Sequence, residues 1–259
     1  MENTITFLGT AGARFMVANQ IRASGGMWLS LNGTQILVDP GPGSIVQATK
    51  RKLKAHSLKA IILTHRHLDH SGDLNIMVEA MTNGGFQPHG RVFLPQDALT
   101  PEPVLYSYLK PYLDGVEVLQ EGKTYSIDGV SLSTPLRHIH TVETYGLKFS
   151  AGDLTFSYIT DTRFFEGLIT AYQSDIIIMN IVFTKPWDNI DHLSLVDAEL
   201  IINGIKPKAA VLTHFGMSMW KAKPWEVAEQ LSQKTGIKVI SARDGMVLNL
   251  DELKNKINI

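Results

Sequence analysis

The chain has 259 residues, 44% of them hydrophobic and 19% charged, and its 24 Lys plus Arg against 25 Asp plus Glu leave a formal net charge of −1. That length buries roughly three quarters of the unfolded surface, the composition excludes disorder, collagen-like repeat and coiled coil, and near-neutrality argues against gripping a polyanion as the main activity. The absence of Cys removes disulfides, thiolate nucleophiles and thiolate metal ligands, so a transition-metal site has to be built from His and carboxylates.

In chain order, apolar runs predict strands over 5–8, closed by Gly9, then over 27–31 and 35–39. Asn32-Gly33 marks a hairpin between the last two, and Asp39-Pro40-Gly41-Pro42-Gly43 is strong turn chemistry. Ile45, Val46, Ala48 and Leu53 among Lys and Arg predict an amphipathic helix over 44–54. A buried strand over 59–64 feeds a histidine cluster, and a helix over 73–81 ends at Asn83-Gly84-Gly85. Three prolines and three tyrosines make 100–113 a poor strand; it reads as a surface segment near the site mouth or as an ordinary packed connector. Strands follow over 124–127, 130–135, 145–149 and 154–160, then strand 176–181, helix 195–203, strand 209–213 and helix 224–234. Two strand-rich halves with helices predict two sheets face to face, covered by helices outside. No repeat or linker divides the chain, so one domain over 1–259 is expected. The N-terminal residues lack a basic region followed by an apolar stretch, and no run of ~18 apolar residues occurs, so a soluble cytoplasmic protein without membrane partners is expected.

His65-Arg66-His67-Leu68-Asp69-His70 places four potential metal ligands in six positions where a buried strand ends. By the two-residue strand period His65 and His67 share a face, while Asp69 and His70 turn into the next helix toward a second ion. Two ions ~3.5–4 Å apart is the separation used by two-metal hydrolytic sites.

With this motif the chain resembles the metallo-β-lactamase superfamily, whose defining loop is His-x-His-x-Asp-His. Ile5-Thr6-Phe7-Leu8-Gly9-Thr10-Ala11-Gly12 and Leu37-Val38-Asp39-Pro40-Gly41 resemble the first strand and the second-strand Asp turn of its phosphodiesterase branch. That branch includes tRNA 3′-processing nucleases and the cyclic phosphodiesterase of the carbon–phosphorus lyase pathway. The resemblance implies an αββα sandwich with a dinuclear site at the sheet edge, and three further ligands. His140, followed by Tyr145-Gly146, resembles the third histidine; His138 shares its strand face and competes with it. Asp161 matches the bridging aspartate, and His214 in Val211-Leu212-Thr213-His214-Phe215-Gly216 closes the set. The implied partition is His65, His67 and His140 on one ion, Asp69, His70 and His214 on the other, with Asp161 between them. Zn²⁺ suits these ligands, and Mn²⁺ or Fe²⁺ takes the same set.

Asp39 is expected to accept a ligand histidine N–H, or else to cap its own turn. In the phosphodiesterase branch a His-x-Thr/Ser segment supplies a histidine that protonates the leaving oxygen or steadies the phosphate. His192-Leu193-Ser194 resembles it, with Ser in place of the usual Thr, although Ser194 also reads as a helix N-cap. His192 and Asp69 are therefore the catalytic candidates, while His56 and His89 read as surface residues. Only about twenty residues separate His140 from Asp161, which leaves no place for the protruding arm of the tRNA nucleases. The expected activity is hydrolysis of a small or cyclic phosphodiester by water activated at the two ions. A nucleic-acid substrate is less favoured, and a homodimer is compatible. A thioesterase or lactonase on the same fold, a tRNA 3′-processing endonuclease and a non-catalytic metal-binding protein are the alternatives.

Overall fold

The computed structural model describes residues 2–24 and 26–255. Its strands, in chain order, are β1 (Thr4–Phe7), β2 (Met27–Leu31), β3 (Thr34–Val38), β4 (Leu58–Ile62), β5 (Arg91–Leu94), β6 (Gly115–Val118), β7 (Lys123–Ile127), β8 (Val130–Thr134), β9 (Leu147–Ala151), β10 (Leu154–Ile159), β11 (Ile176–Phe183), β12 (Leu193–Ser194), β13 (Ala209–Thr213), β14 (Lys238–Ser241) and β15 (Val247–Asn249). The helices are α1 (Ala13–Ala18), α2 (Ser44–Lys50), α3 (Leu68–Ser71), α4 (Leu74–Met81), α5 (Gly167–Ala171), α6 (Leu195–Ile205), α7 (Met217–Lys221), α8 (Pro224–Thr235) and α9 (Leu250–Asn255).

One sheet runs β15-β1-β2-β3-β4-β5-β6 and the other β14-β13-β11-β10-β9-β8-β7, with β12 beside β11. Both are mixed. β1, β2 and β3 pair antiparallel and β3 to β6 parallel; β7 to β10 pair antiparallel, and β10, β11, β13 and β14 parallel. Parallel strands have to be covered on both faces. The sequence supplies this with β11, apolar at every position but Asn180, and with β13, whose five residues are all buried. In β8, buried and half-buried residues alternate, as the two-residue period requires of a strand covered mainly on one face.

The sheets face each other across Ile5, Phe7, Leu29, Phe149 and Phe156. Outside the first sheet, Leu74, Met77 and Met81 of α4 pack on Leu37, Ile61 and Leu63. Outside the second, Ala198, Ile201 and Ile202 of α6 and Leu231 of α8 cover Ile177, Met179 and Leu212. The result is the expected αββα sandwich. Among the described residues no helix is long and apolar enough to cross a membrane.

Several boundaries differ from the sequence reading. The helix expected over 44–54 stops at Lys50, because Lys52 adopts a left-handed φ of 58°. The strand expected over 145–149 becomes β9, and Tyr145 makes only an isolated bridge to Arg137. Strands β5 and β6 bracket the 100–113 segment, which is a mostly exposed surface segment held down at two points and touching the histidine loop. Its Leu105 and Leu109 are buried near α4, while Glu102 reaches Arg66 of the histidine loop at 2.9 Å.

Candidate metal centre

Parallel strands end together, and that is how the site is assembled. The register Val38↔Ile62 brings the residues after β3 and β4 side by side, so Asp39 meets Thr64. In the other sheet the registers Ile159↔Met179 and Asn180↔Thr213 bring Asp161 and His214, just beyond β10 and β13, together with Asn180 inside β11. Ligands commonly sit in such a crevice outside the carboxyl ends of strands.

Two of these residues hold backbone conformations that side chains rarely adopt: Asp39 has φ 51° and His214 φ 58°. Each costs on the order of 1–3 kcal/mol and persists only where the surroundings dictate it. Here Asp39 N–H donates to Ile62 O at 2.8 Å, and Phe215 N–H to Thr10 O at 2.8 Å. Gly12 closes over His214 so tightly that a Cβ would lie 2.2 Å from His214 Nδ1.

The donor atoms form two neighbouring groups. His65, His67 and His140 are one, with His140 Nε2 3.1 Å from His67 Nδ1. Asp69, His70 and His214 are the other, with the His70 and His214 Nε2 atoms 3.0 Å apart and Asp69 Oδ2 3.4 Å from His214 Nε2. The Asp161 carboxylate lies between them: Oδ2 is 3.8 Å from His65 Nε2 and 3.5 Å from His70 Nε2, and Oδ1 is 3.5 Å from His214 Nδ1.

Ring orientation follows from the outer nitrogens. His70 Nδ1 donates to Asp39 Oδ2 at 2.9 Å and His140 Nδ1 to the Asp191 carbonyl at 3.0 Å, which turns both Nε2 lone pairs inward. Asp39 therefore does what the sequence suggested, and it also accepts from Thr64 N–H at 2.7 Å and Thr64 Oγ1 at 2.8 Å. His65 Nε2, His192 Nδ1 and His214 Nδ1 are buried and have no hydrogen-bond partner. Buried imidazole nitrogens without partners are costly unless an ion takes their lone pairs. Sulfur-free nitrogen and carboxylate donors of this kind fit divalent cations.

His138 stands apart from both groups. Its Nε2 lies 2.9 Å from Tyr172 Oη and its Nδ1 3.3 Å from the Asp161 carbonyl, and burial pushes its pKa down to about 3. Gly146 backs this pair, since a Cβ there would lie 2.3 Å from Tyr172 Oη. His192 sits beside Asp161, its Nδ1 3.6 Å from Oδ2, with its ring 5.1 Å from that of His140. That brings it within donor distance of His140 and Asp161, a further group beside the one that His65 and His70 form with Asp161, although the sequence reading placed it outside the ligands. Ser194 forms a capping box with Asp197 at the start of α6. His56 is exposed, and His89 is half-buried and bonded to the Gln87 and His56 carbonyls.

Charge is distributed unevenly over the site. His70 is held well above the usual imidazole range: burial works against the proton, but Asp39, Asp161 and Asp69 prevail. Asp161 is held well below the carboxylate range despite burial, by His214, His192 and His70. Burial and the neighbouring His70 lower His65, and burial with His140 lowers His67 to about 4.

Sequence reasoning missed Asn180, whose Nδ2 donates to Asp161 Oδ1 at 2.8 Å. Its signal was present, because an amide inside the run Ile-Ile-Ile-Met-Asn-Ile-Val-Phe is expensive to bury without a partner.

Residues 34–215 match the family described as Beta-lactamase superfamily domain. An uncharacterized protein of Methanocaldococcus jannaschii is 33% identical over 273 residues, spanning all of this chain and 99% of that protein. The probable metallo-hydrolase YhfI of Bacillus subtilis is 25% identical over 216 residues, 81% of this chain and 86% of YhfI. The crystal structure of YhfI superposes with a TM-score of 0.81 at 20% identity, covering 96% of this chain and 99% of that one. A diphosphatase from the PhnP family superposes with a TM-score of 0.71, also at 20% identity, over 95% of this chain and 97% of its own.

Proposed function

The chain belongs to the β-lactamase superfamily, and from that premise we propose that it is a metal-dependent hydrolase with a dinuclear site that cleaves a small or cyclic phosphodiester. The observation that carries the proposal is the Asp161 carboxylate lying between two three-residue donor groups with His192 Nδ1 3.6 Å from its Oδ2. The name of YhfI, probable metallo-hydrolase, supports metal-dependent hydrolysis, and the diphosphatase likeness supports attack at phosphorus.

His65, His67 and His140 would hold one ion and Asp69, His70 and His214 the other, with Asp161 shared. Two such ions, Zn²⁺ by preference for imidazole and with Mn²⁺ or Fe²⁺ as substitutes, supply a water nucleophile near neutral pH and neutralise phosphoryl charge. The chain's own residues do the remaining work. Asp39 and the Asp191 carbonyl keep His70 and His140 turned inward, and Asn180 restrains one oxygen of Asp161. His192, whose Nδ1 lies 3.6 Å from Asp161 Oδ2, delivers a proton to the departing oxygen. The arm-bearing tRNA nuclease alternative is disfavoured by the short span between His140 and Asp161.

The test is His192→Ala, with metal content and kcat measured on phosphodiesters of poor and good leaving ability. Both ions should remain, and kcat should fall roughly 10²–10⁴-fold on the poor leaving group but much less on p-nitrophenolate, which needs no proton to depart. Loss of an ion would make His192 a ligand. Thioester or lactone turnover that survives the substitution at the parent rate would move the activity to another ester class.

A further inference from the structure

Apolar side chains surround the donor groups in positions where packing gives no reason for them. Leu68, between His67 and Asp69, is 79% exposed, Ile139, between His138 and His140, is 42% exposed, and Trp187 is 62% exposed. Scattered apolar residues are normal on any surface. These three, however, are adjacent to donor residues in sequence or connected to one by ring contacts.

Trp187 lies on the segment that leaves β11 and returns at His192. Its indole meets Phe183 edge to face, with centroids 5.2 Å apart at 77°, and Phe183 in turn meets the His192 ring at 6.1 Å and 72°. Two ring contacts therefore connect the exposed indole to the imidazole beside Asp161. The return of the segment is anchored, because the Asp191 carboxylate accepts from Arg163 Nε at 2.6 Å while its carbonyl holds His140. The arginines at this rim are paired: Arg163 with Asp191, and Arg66 with Asp97 and Glu102. Such a rim gives a long polyanion little to hold, but it offers a flat ring an indole face.

We propose that Trp187, braced by Phe183, is a stacking platform that selects phosphodiesters bearing a flat aromatic ring on an esterified group. This rests on the phosphodiesterase reading and adds the substrate class to it. Because stacking needs a π-face and not a particular hydrogen-bond pattern, the preference should extend to aryl and heteroaryl groups alike.

The test measures binding of phenylphosphonate and methylphosphonate to the metal-loaded protein by calorimetry, since neither has an ester bond to cleave. The parent should bind phenylphosphonate more tightly than methylphosphonate, and Trp187→Ala should weaken phenylphosphonate by roughly 5- to 150-fold, the range for losing one stacked ring. Trp187→Phe should recover most of that loss, and tryptophan fluorescence should be quenched by phenylphosphonate in the parent more than in either variant. Equal affinity of the parent for the two phosphonates, or an aryl preference that survives Trp187→Ala, overturns the platform and leaves the phosphodiesterase reading standing. Failure of the parent to bind either phosphonate, together with no cleavage of any phosphodiester, overturns that reading and the platform with it.

Discussion

Asp39 makes no contact with substrate in the proposed reaction, yet replacing it should disable half of the metal site. Its carboxylate, 2% exposed, accepts from Thr64 N–H at 2.7 Å, Thr64 Oγ1 at 2.8 Å and His70 Nδ1 at 2.9 Å. In Asp39→Ala the Thr64 hydroxyl can turn to Thr160 Oγ1, already 3.2 Å away, but the Thr64 amide and His70 Nδ1 are left buried without an acceptor. Each orphaned donor costs about 1–3 kcal/mol, and alanine gains nothing at a left-handed φ of 51°. A loss of roughly 3 kcal/mol in the metal-free protein corresponds to a fall in Tm of about 6–12 °C for a chain of this size. With His70 no longer held in one orientation, affinity for the ion on Asp69, His70 and His214 should fall about 10- to 100-fold. Asp39→Asn separates the two effects. Asparagine tolerates the left-handed backbone and keeps one acceptor oxygen, so Tm should fall less while the affinity loss remains. Thermal melts of the stripped proteins and Zn²⁺ titration against a competing chelator measure both quantities. An Asp39→Ala protein that binds two ions with parental affinity and melts at the parental Tm would refute the reasoning.

Asp161→Ala should lower bound metal, measured by elemental analysis, and abolish hydrolysis; two retained ions with full activity would remove Asp161 from the ligands. His140→Ala should lose an ion, whereas His138→Ala should keep both and lose only stability, because its ring contacts Tyr172 and the Asp161 carbonyl; the reverse result exchanges their roles. Ion binding should also be ordered by pH. Burial keeps His65 and His67 neutral at mildly acidic pH, whereas the Asp39, Asp161 and Asp69 charges overcome burial and keep a proton on His70. The second ion should therefore displace a proton, its affinity rising roughly ten-fold per pH unit until the raised pKa of His70 is passed. In the metal-free chain the same proton contributes stability that is fully present below the ordinary imidazole pKa of about 6.5 and is lost as pH rises through the raised value. Calorimetry in buffers of different ionisation enthalpy detects the released proton; two sites filling together at every pH with none released would contradict this order.

How much of the site was legible depended on whether a residue's type or its direction mattered. His65, His67, Asp69 and His70 could be read because a polar, metal-binding cluster interrupts an apolar strand at fixed spacing, and Asp161 and His214 because each ends a buried strand abruptly. The strand period could not choose between His138 and His140, because the segment that carries them is not a strand. It leaves β8, makes only the isolated Arg137–Tyr145 bridge, and turns one imidazole toward Tyr172 and the other toward His67. Strands β5, β6 and β14 have four residues each and take their pairing from neighbours distant in sequence, so local pattern had little to show. The Asp191 carbonyl and the Thr64 amide leave no trace at all. Every residue carries a carbonyl and nearly every one an amide, so the groups that orient His140 and anchor Asp39 are chosen by where the chain passes and not by which side chain it carries there. The donors of a candidate metal site can thus be written in the sequence while the backbone groups that aim them are visible only in the fold.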